Sequence, residues 1–245
     1  MKITFDFHLH SCLSPCGSED NTPANIAGMC ALAGIQAVAL TDHNTVGNCG
    51  AFLKACQSNG LVALPGMELT TLEEVHVVCL FPDLDAARAF GDAVYEQLPT
   101  FPNDVRIFGP QVLMDEEDHI LGEEERMLSG ATTIGVYDAA ALAQRFGGLA
   151  YPAHIDRSSF SVISNLGLWD PGLGFSLAEV SRKCRSGFMD RPDLKGLPTL
   201  TASDAHYLDQ IADADQMLEV EAAAPRAILA ALGASNFAER YCRIS

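Results

Sequence analysis

Short, mostly apolar segments alternate with helical segments along most of this 245-residue chain. Segments such as 35–40, 61–65 and 149–153 are only five or six residues long, and each is flanked by polar or glycine-containing stretches. Parallel strands covered on both faces have this composition. The repeated strand-then-helix order therefore predicts an α/β fold with a parallel sheet or barrel, and the chain length suits a barrel-sized domain.

Local signals set the predicted boundaries. Thr22-Pro23 has the pattern of an N-cap followed by proline at the first helical position, and Gly34 is a typical stop signal. We expect helices over 23–33, 48–58, 84–98 and 136–146. We expect strands at the N-terminus up to residue 10 and then over 35–40, 61–65, 75–81, 149–153, 175–180, 197–202 and 217–220.

Residues 99–132 interrupt this alternation. Three prolines come first, followed by the acidic runs 115–118 and 123–125. We interpret the segment as an insertion that forms a hairpin with a short helix, with its acidic runs facing solvent. Its position makes it a candidate lid over the mouth of the predicted barrel. We expect one domain spanning residues 1–245 that carries this insertion.

Charge and hydropathy limit the partners. The chain has 32 acidic and 15 basic residues, a formal net charge of −17, so we expect a nucleic-acid partner to be unlikely. A small anionic substrate remains compatible with this charge, because bound cations reverse the sign inside a site.

There is no apolar run of the roughly 20 residues that span a bilayer and no secretion signal, so we expect a cytoplasmic protein with no membrane contact. The eight cysteines form no C-x-x-C pair, which favours mostly reduced thiols.

Metal-binding residue types follow or occupy the predicted strands. His8 and His10 are two apart and point to one face of a strand, and Asp204 and His206 repeat this spacing. Six of the seven histidines lie at or beside a predicted strand. In α/β barrels the C-terminal strand ends form the face that carries the active site. The pattern predicts a metal centre there, to which other strand ends add Asp42, His43, Glu68 and His154.

Each motif taken alone has an ordinary explanation. Residues 41–44 could be a helix N-cap, and Glu68 could pair with a surface cation. His76 lies inside an apolar strand, where a single histidine is more often a core residue than a ligand. Only the combination of all the motifs favours metal binding.

The motifs resemble those of the PHP family, the polymerase and histidinol phosphatase family of metal-dependent phosphoesterases. They come in family order as His8-Leu9-His10, Thr41-Asp42-His43, Gly66-Met67-Glu68, His76, Pro152-Ala153-His154 and Ser203-Asp204-Ala205-His206. The resemblance implies a distorted TIM-like (β/α)7 barrel. It also implies two or three divalent metal ions (Zn, Mn or Fe) at the C-terminal face.

The resemblance also implies three sets of ligands. The first ion would take His8, His10, Glu68 and Asp204, and the second would take Glu68, His76 and His154, with Glu68 bridging. His43 and His206 would hold the third, with Asp42 as a ligand or as a residue that orients an imidazole. Family members usually offer a His or Asp in the loop after the first motif, where this chain has Cys16. Either the Cys16 thiolate is a ligand, which would favour zinc, or the third site is weak or empty.

The expected activity is hydrolysis of a small phosphorylated metabolite or nucleotide by a metal-bound hydroxide, with Glu68, Asp204 and His206 as catalytic residues. Arg157 is the candidate phosphate clamp, and Arg182, Lys183 and Arg185 form the one dense basic cluster of the sequence. Two alternatives stay open at this stage. One is an amide or lactone hydrolase that uses the same metals, and the other is a non-catalytic binding module stabilised by metal.

Overall fold

The computed structural model describes residues 1–244. Its strands are β1 (Lys2–Leu9), β2 (Ala37–Leu40), β3 (Val62–Thr70), β4 (His76–Leu80), β5 (Val112–Met114), β6 (Ile120–Glu123), β7 (Leu149–Pro152), β8 (Ala178–Ser181), β9 (Thr199–Ala202), β10 (Gln216–Glu219) and β11 (Tyr241–Arg243). Its α-helices are α1 (Pro23–Leu32), α2 (Cys49–Ser58), α3 (Leu84–Tyr95), α4 (Val105–Phe108), α5 (Val136–Arg145), α6 (Val162–Leu166), α7 (Pro225–Leu232) and α8 (Phe237–Arg240). The Thr22 side chain caps α1 by accepting from the Asn25 N–H, as the sequence predicts.

The main sheet has seven strands in the order β11-β10-β1-β2-β3-β4-β7. Strands β1, β2 and β3 are parallel, as expected, but β4 is antiparallel to both β3 and β7. The reason is that the short segment 71–75, which contains no helix, joins β3 to β4. This hairpin pairs Thr70 with His76. The start of β4 therefore lies at the same edge as the C-terminal ends of β1–β3.

The parallel pair β8–β9 completes the ring between β7 and β1. After β7, the Ile155 N–H donates to the carbonyl of Glu179 in β8 at 2.8 Å. After β1, the His10 N–H donates to the Ala205 carbonyl just beyond β9 at 3.0 Å. The strands around the ring are β1, β2, β3, β4, β7, β8 and β9. The expected α/β fold, a distorted barrel, is confirmed.

Apolar side chains fill the inside of the ring and cover its outside. Ile3, Phe5 and Phe7 of β1 pack with Tyr151 and Leu200 in one buried cluster. A second cluster joins β3 and β4 to α3 and α5, and a third joins β1 and β2 to α1 and α2. The packed interior leaves the carboxyl edge of the strands as the part of the ring lined by buried polar groups.

The segment 99–132 contains the predicted hairpin, β5–β6, and the predicted short helix, α4. Buried asparagines attach it to the barrel. The Asn48 amide donates to the Val112 carbonyl at 3.0 Å and its oxygen accepts from the Met114 N–H at 2.9 Å. The Asn44 amide donates to the Leu128 carbonyl at 2.7 Å. The assignment of residues 1–245 to one domain stays a prediction. Over residues 1–244, none of the helices has the length and apolar character that crossing a bilayer requires.

Candidate metal centre

The carboxyl edge of the barrel gathers the predicted metal-binding side chains. His8 lies in β1, His10 just after it, Glu68 in β3 and Asp204 just after β9, and all four are buried. Their donor atoms lie within 4.8 Å of one another. Two further groups meet the same distance limit, namely His43 with Glu68 and His76, and His10 with His43 and His206.

Glu68 is the centre of the cluster. Its Oε1 is 3.2 Å from His8 Nε2, 3.0 Å from His76 Nδ1 and 3.3 Å from His154 Nε2. Its Oε2 is 3.3 Å from His10 Nε2 and 3.0 Å from His43 Nδ1. One carboxylate thus touches five imidazoles.

These short contacts lack the alignment of hydrogen bonds. Within residues 1–244, both carboxylate oxygens of Glu68 and the Oδ1 of Asp204 are buried and have no hydrogen-bond partner, whereas Asp204 Oδ2 lies 2.7 Å from Arg157 Nη1. Donor atoms that surround a cation at about 2.1 Å lie about 3.0–3.4 Å apart, as here, because each lone pair points at the ion and not at its neighbour. Orphaned oxygens beside imidazole nitrogens fit divalent ions such as zinc.

Buried polar groups orient the first two histidines. His8 Nδ1 lies 2.9 Å from Glu179 Oε2, so this nitrogen carries the proton and Nε2 faces the cluster. His10 Nδ1 lies 2.9 Å from Ser14 Oγ, which in turn donates to Asp42 Oδ1 at 2.7 Å. Contacts of this kind fix the tautomer of a metal-binding imidazole.

Asp42 lies outside all three donor groups. Besides the Ser14 hydroxyl, its carboxylate accepts from the Ser11 N–H at 2.7 Å and from the Ser11 hydroxyl at 2.6 Å. Of the two roles left open for Asp42, this geometry favours the one that orients an imidazole, His10, through Ser14.

Cys16 and His154 depart from the expected sets. Cys16 is exposed and is not part of the group of His10, His43 and His206. His154 touches Glu68, yet the group around His76 contains His43 in its place. His43 therefore belongs to two donor groups, one with Glu68 and His76 and the other with His10 and His206.

The electrostatics of the metal-free cluster follow from its buried carboxylates. Burial opposes the charge on His8, but Glu179, Glu68 and Asp204 raise its pKa well above the usual value. Burial likewise opposes ionisation of Glu68, but the cationic His8 and His43 rings lower its pKa well below the usual value. Burial lowers the pKa of His76 to about 4, so its ring is neutral and can act as a donor to a cation at pH 7.

Two of the predicted ligands have unusual backbone angles. His154 has φ 28° and Asp204 has φ 50°, values that non-glycine residues rarely adopt. Each residue lies two positions after the end of a strand, β7 or β9, at the carboxyl edge of the barrel. Strain of this kind is common at functional sites.

A cleft of ≈ 570 Å³ adjoins the metal cluster at Asp204. Its lining contains four basic side chains, which are Arg157, Arg182, Lys183 and Arg185. Arg157 Nη1 lies 2.7 Å from Asp204 Oδ2, and the Arg157 side chain is 45% exposed. Arg182 is also paired with Asp215, at 3.1 Å. The structure thus places all the basic residues singled out from the sequence beside the cluster.

The sequence analysis missed Glu179 and Asp6. Both are buried carboxylates, and Asp6 accepts from the N–H groups of His8 and Ser203, which ties β1 to the turn that carries Asp204. Burial raises the pKa of Asp6 to about 6. An acidic residue inside an apolar strand segment, as in 5–7 and 177–180, is the signal that could have identified them.

The family model of the PHP domain matches residues 6–152, more than half of the chain. The chain belongs to the PHP family. Among curated proteins none matches it significantly. Membership of the PHP family, together with the clustered His, Glu and Asp side chains, supports a metal-dependent hydrolase.

Solved structures share the fold at low sequence identity. The lesion-specific endonuclease Q of Pyrococcus furiosus superposes with a TM-score of 0.69 at 19% identity, over 95% of this chain and 56% of that one. This chain therefore spans just over half the length of endonuclease Q. A protein of Bifidobacterium adolescentis described as a metal-dependent phosphoesterase has a TM-score of 0.59 at 17% identity, covering 82% of this chain and 87% of the other. An amidohydrolase of Chromobacterium violaceum, solved with bound sulfate, has a TM-score of 0.59 at 20% identity and covers 98% of both chains.

The expectation that nucleic acid is an unlikely partner is wrong. Endonuclease Q, which has this fold, has been solved in complex with a 27-mer duplex that has an abasic lesion at the active site. The net charge of −17 is a sum over the whole chain and does not report the local electrostatic potential at a binding site. Binding depends on the local field, and the cleft beside Asp204 is lined by four cationic side chains.

Proposed function

We propose that the chain is a metal-dependent phosphoesterase. The observation that carries the proposal is the basic cleft, because Arg157, Arg182, Lys183 and Arg185 line a cavity that opens on Asp204. Guanidinium groups bind phosphate through paired hydrogen bonds. A site for a neutral amide or lactone would not need four cations next to its metals.

The metal ligands are part of the proposal. His8, His10, Glu68 and Asp204 would hold one ion, and Glu68 would share a second with His76, His43 and His154. His206, with His10 and His43, is the remaining candidate set, and Cys16 is its candidate thiolate. Bound zinc, manganese or iron would polarise the phosphoryl oxygens and provide an activated water for hydrolysis.

The protein side chains would supply positioning and proton transfer. Arg157 is partly exposed and 2.7 Å from Asp204, so its free guanidinium edge can hold a phosphoryl oxygen next to the cluster. His206 Nδ1 lies 2.9 Å from the Asp204 carbonyl, which directs Nε2 away from that carbonyl. When the set of His10, His43 and His206 holds no ion, the Nε2 of His206 is available. This side chain, which is less deeply buried than the other histidines of the cluster, is then our candidate to exchange protons with the leaving oxygen. Glu68 and Asp204 would hold the cations at a fixed spacing.

Phosphate release tests the proposal. The metal-loaded protein is assayed with phosphorylated metabolites, nucleotides and short oligonucleotides, and His8→Ala and Asp204→Ala are the inactive variants. Arg157→Ala should lower kcat/KM at least about tenfold, because a charged hydrogen bond to the substrate is lost. Arg226→Ala, which removes an arginine that is 78% exposed and paired with Asp83, is the matched control.

Three outcomes separate the candidates. Turnover of a phosphoester that is lost in both metal-ligand variants supports the proposal. Turnover of an amide or lactone panel, with no phosphate released, would favour the amidohydrolase chemistry of the Chromobacterium violaceum neighbour. Bound metal with no turnover of either panel would favour a binding module.

A further inference from the structure

The segment that follows β7 connects the metal cluster to an exposed aromatic ring. It begins with His154, continues through Arg157 and the serines 158 and 159 in the wall of the basic cleft, and ends at Phe160. The Phe160 ring stacks on the His76 imidazole, with centroids 4.7 Å apart and an angle of 18° between the planes. Its carbonyl accepts from the His76 N–H at 3.0 Å.

Two features show that simple packing does not explain Phe160. Its φ is 54°, a backbone conformation that is strained for a bulky residue. The ring is nevertheless 43% exposed, so burial returns only part of the usual gain for a phenylalanine. A strained backbone that displays an aromatic ring to solvent beside a metal cluster fits a ring that binds something.

The cleft and Phe160 both adjoin the cluster through residues that share a donor group with Glu68. Asp204 lines the cleft, the Phe160 ring stacks on His76, and Asp204 and His76 each belong to a donor group that contains Glu68. A phosphoryl group bound at Glu68 would therefore have both the cationic side chains and the Phe160 ring nearby. The cations suit the phosphoryl oxygens, which leaves the ring for the alcohol that departs.

We propose that Phe160 determines specificity by stacking on the planar base of a nucleoside leaving group. Stacking on an exposed aromatic side chain is the general way in which proteins hold bases without reading their sequence. The inference rests on the phosphoesterase function proposed above. It adds that the substrate is a nucleotide or an oligonucleotide and not a simple sugar phosphate.

A matched pair of substrates tests this role. AMP and ribose 5-phosphate share the phosphate and the sugar and differ only in the base. With the metal-loaded full chain, Phe160→Ala should lower kcat/KM for AMP at least about fivefold, mostly through KM, and change the value for ribose 5-phosphate less than about twofold. Phe160→Tyr, which keeps a ring, should restore the preference for AMP. Phe101→Ala, at an exposed ring on the insertion, is the control.

Other results would overturn the inference in distinguishable ways. Equal losses for both substrates, or a loss of bound metal, would show that Phe160 only shields His76. A wild-type protein that hydrolyses sugar phosphates or other phosphoesters, but no nucleotide or oligonucleotide, would remove the nucleoside assignment and keep the phosphoesterase function. Failure to hydrolyse any phosphoester would end both proposals.

Discussion

Glu179 Oε2 lies 2.9 Å from His8 Nδ1, and the other oxygen of the same carboxylate accepts the His154 N–H at 3.2 Å. Glu179 is buried in β8 and belongs to none of the donor groups. It therefore holds two predicted ligands, one in β1 and one after β7, from outside the donor groups. A carboxylate behind a metal-binding histidine also makes the imidazole a stronger donor.

Replacing Glu179 should weaken metal binding although it is not a ligand. We expect Glu179→Gln to lower the affinity for zinc or manganese about 10–100-fold, because His8 loses a charged acceptor. Competition with a chromophoric chelator measures the change. Glu219→Gln, on the exposed face of β10, should leave the affinity unchanged. Equal affinities in Glu179→Gln and wild type would show that His8 needs no such support.

Ser14 should matter through the chain from His10 to Asp42. Ser14→Ala removes the acceptor of His10 Nδ1 and one donor to Asp42. We expect the free energy of unfolding of the metal-free protein to fall by about 1.5–3 kcal/mol, as for other hydrogen bonds to charged groups, and metal affinity to fall as well. Urea unfolding and metal titration measure the two effects. Ser58→Ala, at an exposed hydroxyl on α2, should change neither.

The motif residues could be predicted from the sequence because their spacing encodes their geometry. His8 and His10 are two residues apart in a predicted strand, so they point to the same face. Glu68 and Asp204 lie near the C-terminal ends of strands, and these ends meet at one edge of an α/β barrel. The direction of β4 could not be predicted from apolar content, because antiparallel and parallel strands have the same residues when both faces are covered. Glu179 depends on the pairing of β8 with β9 and on the approach of β8 to β7, which no local pattern records.

The basic cleft is a second feature that depends on strand pairing and not on a local sequence pattern. The sequence shows that Arg182 and Lys183 are adjacent, but their position beside Asp204 depends on the parallel register of β8 and β9, in which Ser181 pairs with Ala202. Net charge contains no such positional information, and for this reason it gave the wrong expectation about nucleic acid.

Removing metal should destabilise the protein. A cation that binds only the folded state adds about 2.7 kcal/mol at a hundredfold excess over its Kd. For a chain of this size, chelation should lower Tm by roughly 5–10 °C, and added zinc or manganese should restore it. Differential scanning calorimetry with and without EDTA tests this. In the double variant His8→Ala/Asp204→Ala, which loses two donors of one set and keeps the set of Glu68, His43 and His76, chelation should lower Tm less than in the wild type. An unchanged Tm in the wild type would contradict metal binding by the cluster.

Gly66, two residues before Glu68, should tolerate no side chain. A Cβ there would lie 2.9 Å from the Cys79 carbonyl oxygen and 3.0 Å from Thr41 Cγ2, so β3 would have to move away from β4 or β2. We expect Gly66→Ala to lower the free energy of unfolding by about 1–3 kcal/mol. Gly28→Ala is the matched control, since a Cβ at this position of α1 would have no neighbour within 4 Å. It should raise the free energy by about 0.5–1 kcal/mol, because alanine favours the helix. Chemical denaturation measures the free energy of unfolding of both variants. Equal changes in Gly66→Ala and Gly28→Ala would show that β3 and β4 can shift to admit a methyl group.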